Sequence, residues 1–140
     1  MKKDIELNRN KLLENIKEII LNARKSVAIN VNHELIVAYW NIGKLVVENE
    51  KSNKVDITSS RQIIIELSKQ LSTEIGKGFS RSNLFNMRKF FLIYPNIQTL
   101  SGQLTWSHIC ELLIIDDSAK RGFYENETIG SSWSVRELKR

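Results

Sequence analysis

The sequence is short of the residues that break or staple a chain. One proline, Pro95, and six glycines interrupt 140 residues, so turn-rich, alternating β architecture has little support. A single cysteine, Cys110, cannot close an internal disulfide, which fits a reducing compartment. No apolar run approaches the ~18 residues of a membrane span. The start, MKKDIELNRNK, carries charges with no apolar segment behind them, so no secretory signal is read there and a cytoplasmic protein is expected. The two histidines, His33 and His108, stand far apart without zinc-type spacing. No nucleophile, general base or metal-ligand set emerges, and no cofactor is implied.

What remains is a helical chain with uneven charge. The net charge is +5. Residues 1–56 hold ten Lys/Arg against eight Asp/Glu, residues 57–108 six against two, and residues 109–140 five against six. The basic excess is therefore central, and a basic surface favours a polyanionic partner such as DNA or RNA.

Helical periodicity predicts an all-α domain over residues 1–140. A first helix over Leu7–Ile29 places Leu12, Ile16, Ile19, Ile20, Ala23 and Val27 on one face. Asn30 and Asn32 punctuate, and Asn32 caps a second helix through Glu48 with Leu35, Tyr39, Ile42 and Val46 inward. Gly43 inside that helix implies the close approach of another helix. A loop over Asn49–Thr58 precedes a third helix, opened by a Ser59/Gln62 capping box and striped by Ile63, Ile64, Leu67, Leu71 and Ile75. Read alone, the triplet Ile63-Ile64-Ile65 also suits a buried strand, but the polar residues after it continue a helical period.

The stretch from Gly76 to Phe91, GKGFSRSNLFNMRKFF, follows. Its glycines supply positive φ angles, Ser80 caps a fourth helix to Tyr94, and Phe79 can staple onto Leu84. Helix, two-glycine turn, helix is a helix-turn-helix-like order. On the fourth helix Leu84, Met87, Phe91 and Tyr94 form the core stripe with Phe90 at its edge. Arg81, Ser82, Phe85, Asn86, Arg88 and Lys89 remain as candidate nucleic-acid-binding residues: forked donors, an amide, a hydroxyl and an ammonium for bases and phosphates, with an aromatic for stacking. Thr105 or Ser107 caps a fifth helix through Ile114. Asp116, Asp117 and Ser118 open a sixth through Asn126. Ser134 with Glu137 opens one that Arg140 cuts short, so the sequence reads as the front part of a longer protein.

Three look-alikes carry no chemistry. GKG lacks the Lys-Ser/Thr of a phosphate loop. Asp116-Asp117 is explained by capping and the helix dipole. Glu137-Leu138-Lys139 resembles a nuclease E-x-K string but lies within a helix. Cys110 and His108 read as packing residues.

Five words in order, Tyr39-Trp40-x-Ile42-Gly43, Gly76-x-Gly78-Phe79-Ser80 with Asn83-Leu84 and Met87-Arg88, Leu104-x-Trp106-Ser107-His108, Arg121-x-Phe123-Tyr124 and Trp133-Ser134-x-Arg136-Glu137-Leu138, are found here. In these the chain resembles the N-terminal domain of the bacterial YhcG-type proteins. The resemblance implies a helical DNA-binding domain ahead of a PD-(D/E)XK nuclease domain that is absent from this sequence, so no enzymatic activity is expected of these residues. The expected partners are nucleic acid, double-stranded DNA foremost, and the C-terminal nuclease domain of the full-length protein. The alternative is a protein-interaction or homo-oligomerising module, built on the first two helices and anchored by Trp40, Trp106 and Trp133.

Overall fold

The protein is described by a computed structural model covering residues 2–97, 100 and 103–140, with the side chains of residues 2–12 outside the description. Among the described residues six helices follow one another: α1 (Lys2–Asn53), α2 (Ile57–Glu74), α3 (Arg81–Ile93), α4 (Trp106–Leu113), α5 (Ser118–Ser131) and α6 (Val135–Lys139). No strand occurs among the described residues, and the domain is all-α as expected.

The largest departure from expectation is α1. Asn30 and Asn32 do not divide it; one helix of 52 residues runs through both. An asparagine costs a few tenths of a kcal/mol of helix propensity, far less than opening two new termini. Asn32 is not a cap: its Nδ2 donates to the Leu104 carbonyl at 2.7 Å and ties α1 to the approach to α4. The inward stripe is also displaced. Ile36, Tyr39 and Val47 are buried, Ile42 and Val46 are half-buried, and Leu35 is exposed. On the first predicted stripe Ile16, Ile19, Ile20 and Val27 face solvent, while Leu12 lies outside the described side chains.

The expected long loop shrinks to three residues, Lys54 to Asp56, because α2 starts earlier than Ser59. Asp56 is its cap and accepts the Ser59 N–H at 2.7 Å. An aspartate three residues upstream outcompetes the serine because its charged oxygen makes the stronger bond to an orphan N–H. The inward side of α2 is Ser60, Ile64 and Ser68, with Leu67 and Leu71 beside them, whereas Ile75 is exposed. Gly76 and Gly78 adopt φ of 119° and 104°, the left-handed region in which glycine avoids a Cβ penalty. Ser80 caps α3 as expected, with the Asn83 N–H at 3.1 Å from its Oγ. Within α3, Phe90 is fully buried and central, while Phe91 is half-buried. Thr105 caps α4 and Asp117 caps α5; α5 runs five residues beyond the expected end at Asn126 and closes at Ser132 in the left-handed conformation.

Two neighbouring cores result. One gathers Ile36, Phe90, Leu104, Ile109, Leu112, Leu113 and Leu138; the other gathers Tyr39, Ile64, Leu84 and Met87. Trp106 packs against both, with its ring centroid 4.8 Å from Tyr39 and 5.5 Å from Phe90. His108 stays buried as a structural link. Its Nδ1 accepts the Thr105 N–H at 3.1 Å, which leaves Nε2 as the donor to the Trp133 carbonyl at 2.8 Å.

Gly43 sits where α3 crosses α1. A Cβ there would collide with the Met87 carbonyl oxygen, lie 2.7 Å from the Met87 carbonyl carbon and lie 3.2 Å from Phe91 Cβ. Backbone cannot yield as a flexible side chain does, so overpacking outweighs the ~1 kcal/mol of helix propensity that alanine gains. Gly43→Ala is therefore expected to destabilise the fold by about 2 kcal/mol or more in urea unfolding followed by tryptophan emission. A stabilised variant would refute this account of the crossing.

Candidate nucleic-acid interface

The α2–turn–α3 unit is held from three sides. Ser68 on α2 donates its hydroxyl to the Phe79 carbonyl at 2.7 Å. Asn83 donates through Nδ2 to the Gly78 carbonyl at 2.6 Å and accepts from Trp106 Nε1 at 2.8 Å. The turn is thus bonded to the helix before it, the helix after it and α4. Asn83 is a positioning residue that the sequence reading passed over. Its available signal was an amide three residues after a serine cap, beside the inward-facing Leu84.

The six expected contact residues lie on α3 but differ in how free they are. Arg81 and Ser82, in the first turn, are exposed and make no side-chain hydrogen bond or ion pair among the described residues. Lys77, in the turn, is exposed beside them in sequence. Phe85 is half-buried against the second core, not fully outward. Asn86 is half-buried, with Nδ2 3.6 Å from Cys110 Sγ. Lys89 reaches the exposed Asp116 carboxylate at 3.6 Å, a pair that water screens readily.

Arg88 is engaged inside the molecule. Its Nε and Nη2 each donate to one Glu50 carboxylate oxygen at 2.8 Å, a fork-on-fork pair joining α3 to the end of α1. The same carboxylate accepts the Ser60 hydroxyl, drawing in the first turns of α2. The Glu50 side chain is 13% exposed and that of Arg88 35%. The hydrogen bonds from Arg88 hold the Glu50 carboxyl below the ordinary carboxylate range, and Glu50 in turn raises the Arg88 guanidinium. Burial pushes the Cys110 thiol up to about 11, so it is a neutral packing group at pH 7. Among the described residues no three His, Cys, Asp or Glu side chains gather where they could hold a metal ion. No helix among them is long and apolar enough to cross a membrane.

Fold and site together define an all-helical domain whose basic, glycine-turned edge is held rigid while the first turn of α3 stays open. The chain belongs to the family of the DUF1016 N-terminal domain, whose model matches residues 15–140. It is 30% identical over 159 residues to the Escherichia coli (strain K12) protein described as "Putative nuclease YhcG". The match covers 91% of this chain and 42% of that relative, so the chain spans less than half of the relative's length. No solved structure matches the chain.

The Glu50–Arg88 pair has a pH signature. A carboxyl whose folded pKa lies below its unfolded value of about 4.3 adds stability that is complete above that value and fades as pH falls through the folded one. Glu50→Gln should lose stability near neutral pH and show a shallower decline on acidification below about pH 4.5 than the parent. Parallel urea titrations across that range check it; identical pH slopes for the two proteins would refute the assignment.

Proposed function

We propose that this domain binds nucleic acid, double-stranded DNA in particular, through the α2–turn–α3 edge, and that in longer family members it positions a C-terminal nuclease domain. The observation that carries the reading is the open first turn of α3. Arg81 and Ser82 are unpaired there, Lys77 adds charge from the turn, and the helix N-terminus contributes its own positive end. The basic excess of residues 57–108 supports it, and so does the kinship with the protein described as "Putative nuclease YhcG".

The states of the six residues refine the mode of contact. Asn86 is tied to Cys110 and Arg88 to Glu50, so two of the three side chains suited to base edges are already engaged and only Arg81 stays free. Arg81, Ser82 and Lys89 are left to meet phosphates, with Phe85 as an apolar neighbour and Asn86 and Arg88 shaping the surface behind them. This favours backbone contact with little sequence readout. The domain supplies location, and the chemistry belongs to the other part of the longer protein.

Fluorescence anisotropy with a labelled duplex tests the reading. Binding should weaken steeply with salt. Arg81→Ala with Lys89→Ala should lower affinity about tenfold or more and flatten the log–log salt slope by about 2, the loss of two phosphate contacts. Unchanged affinity in that double variant, with helicity intact, would overturn the assignment of this face.

A further inference from the structure

Every side chain from Leu13 to Val31 on the N-terminal part of α1 is exposed. Lys25, Ala28 and Ile29 border a cleft shared with Thr105, His108 and Trp133 of the body, and Asn32 then bonds the Leu104 carbonyl. Leu13, Ile16, Ile19, Ile20, Leu21, Val27, Ile29 and Val31 are between 43% and 69% exposed. Leu13, Ile16, Ile20 and Val27, with Ile19 and Val31 beside them, share one side of the helix, whereas Leu21 and Ile29 lie on the other; an exposed apolar side of that kind is ordinarily covered.

We infer that a second copy of this chain covers it, through a parallel, in-register pairing of the two α1 arms. Three features point to a like partner. The first is spacing: Leu13, Ile16, Ile20, Ala23 and Val27 recur at steps of three, four, three and four, with Asn30 next in the series. This is the spacing of helices wound on each other, with Leu13, Ile20 and Val27 at one set of seam positions and Ile16 and Ala23 at the other. The second is direction. At 100° per residue this seam points roughly opposite to the side carrying Asn32, Ile36, Tyr39 and Gly43, where the body packs, so two arms can meet without their bodies colliding. The third is charge. The flanking positions carry Lys17 and Arg24 on one side of the seam and Ile19 and Ser26 on the other. An antiparallel pair would set Lys17 against Arg24. A parallel pair sets Arg24 beside the partner's Ile19, where its aliphatic stem covers apolar surface.

The seam side offers six large apolar side chains, Leu13, Ile16, Ile19, Ile20, Val27 and Val31, each between 44% and 69% exposed. Asn30 would meet its counterpart across the axis, where the apolar seam ends in a polar pair. The pairing does not depend on nucleic acid.

Size-exclusion chromatography with light scattering at about 100 µM should give twice the 16.2 kDa chain mass. Ile16→Glu with Ile20→Glu should return a monomer. Tryptophan emission should not change, because Trp40, Trp106 and Trp133 all lie in the body. In a Cys110→Ser background, Ala23→Cys should form an interchain disulfide in air, while Glu18→Cys, on the outer face of the same helix, should not. A monomeric parent, a dimer indifferent to the double glutamate, an assembly larger than two chains, or equal cross-linking at positions 18 and 23 would each overturn the proposal. The double glutamate should keep the salt slope of duplex binding measured per chain, which separates this interface from the α3 edge.

Discussion

The approach of α3 to α1 at Gly43 is the contact on which the remaining geometry rests. With no side chain at that point, the Met87 backbone can lie directly on α1. The crossing fixes the separation and register of the two helices, and longer side chains then complete the interface at matching heights. On one side Trp40 donates to the Tyr94 carbonyl at 2.7 Å and meets Phe91 edge-on at 5.2 Å. On the other Arg88 reaches Glu50 with both arms of its guanidinium. A wider crossing would pull that fork away from its carboxylate and leave a largely enclosed charge without its partner, which costs far more than the pair contributes when intact.

From this crossing the polar network extends to the turn. Trp106 touches both cores, and its indole N–H fixes the Asn83 amide, whose other end holds the Gly78 carbonyl. His108, two residues on, closes the cap of α4 and binds the Trp133 carbonyl just before α6. The words that mark the family resemblance therefore have mostly structural duties. Tyr39, Trp40 and Gly43 build the crossing, Gly76 to Asn83 build the turn, Trp106 and His108 bridge, and Ser134 and Leu138 cap and bury the last helix. Arg121 belongs to the same set, donating to the Ile115 carbonyl at 2.7 Å. Kinship read from such words speaks first about architecture, and the functional surface has to be sought among the residues they leave unoccupied.

Legibility from the sequence followed how local each interaction is. Caps at Ser80, Thr105 and Ser134, the positive φ of Gly76 and Gly78, and the close contact at Gly43 are decided within a few residues or by the lack of a side chain, and all were readable. The continuity of α1 was not, because one asparagine weakens a helix too little to end it and Asn32 found a partner 72 residues away. The central place of Phe90 over Phe91 depended on the angle at which α3 lies against its neighbours, which shifts an inward stripe by one position without altering its period. Arg88 was legible as a cation on a polar face; that Glu50 takes it depends on a pairing across 38 residues. The candidate surface narrows accordingly, from six side chains read off one helix to a first turn that nothing else in the described chain occupies.

A single such turn is a weak binding element, since a few phosphate contacts in physiological salt leave affinity in the non-specific range. Pairing through the α1 arms changes this without adding any contact within a domain. Two bodies on the same end of a parallel pair would present two α3 edges related by one twofold axis, as an isologous dimer does. Were the first edge engaged on a duplex, the second would meet it at an effective concentration set by the arms and no longer by the solution. The gain depends on stiffness: arms locked along a seam hold the two edges at one spacing, whereas single frayed helices would not. On this reading the apolar arm and the basic edge are parts of one device, the first supplying the geometry that makes the modest chemistry of the second sufficient.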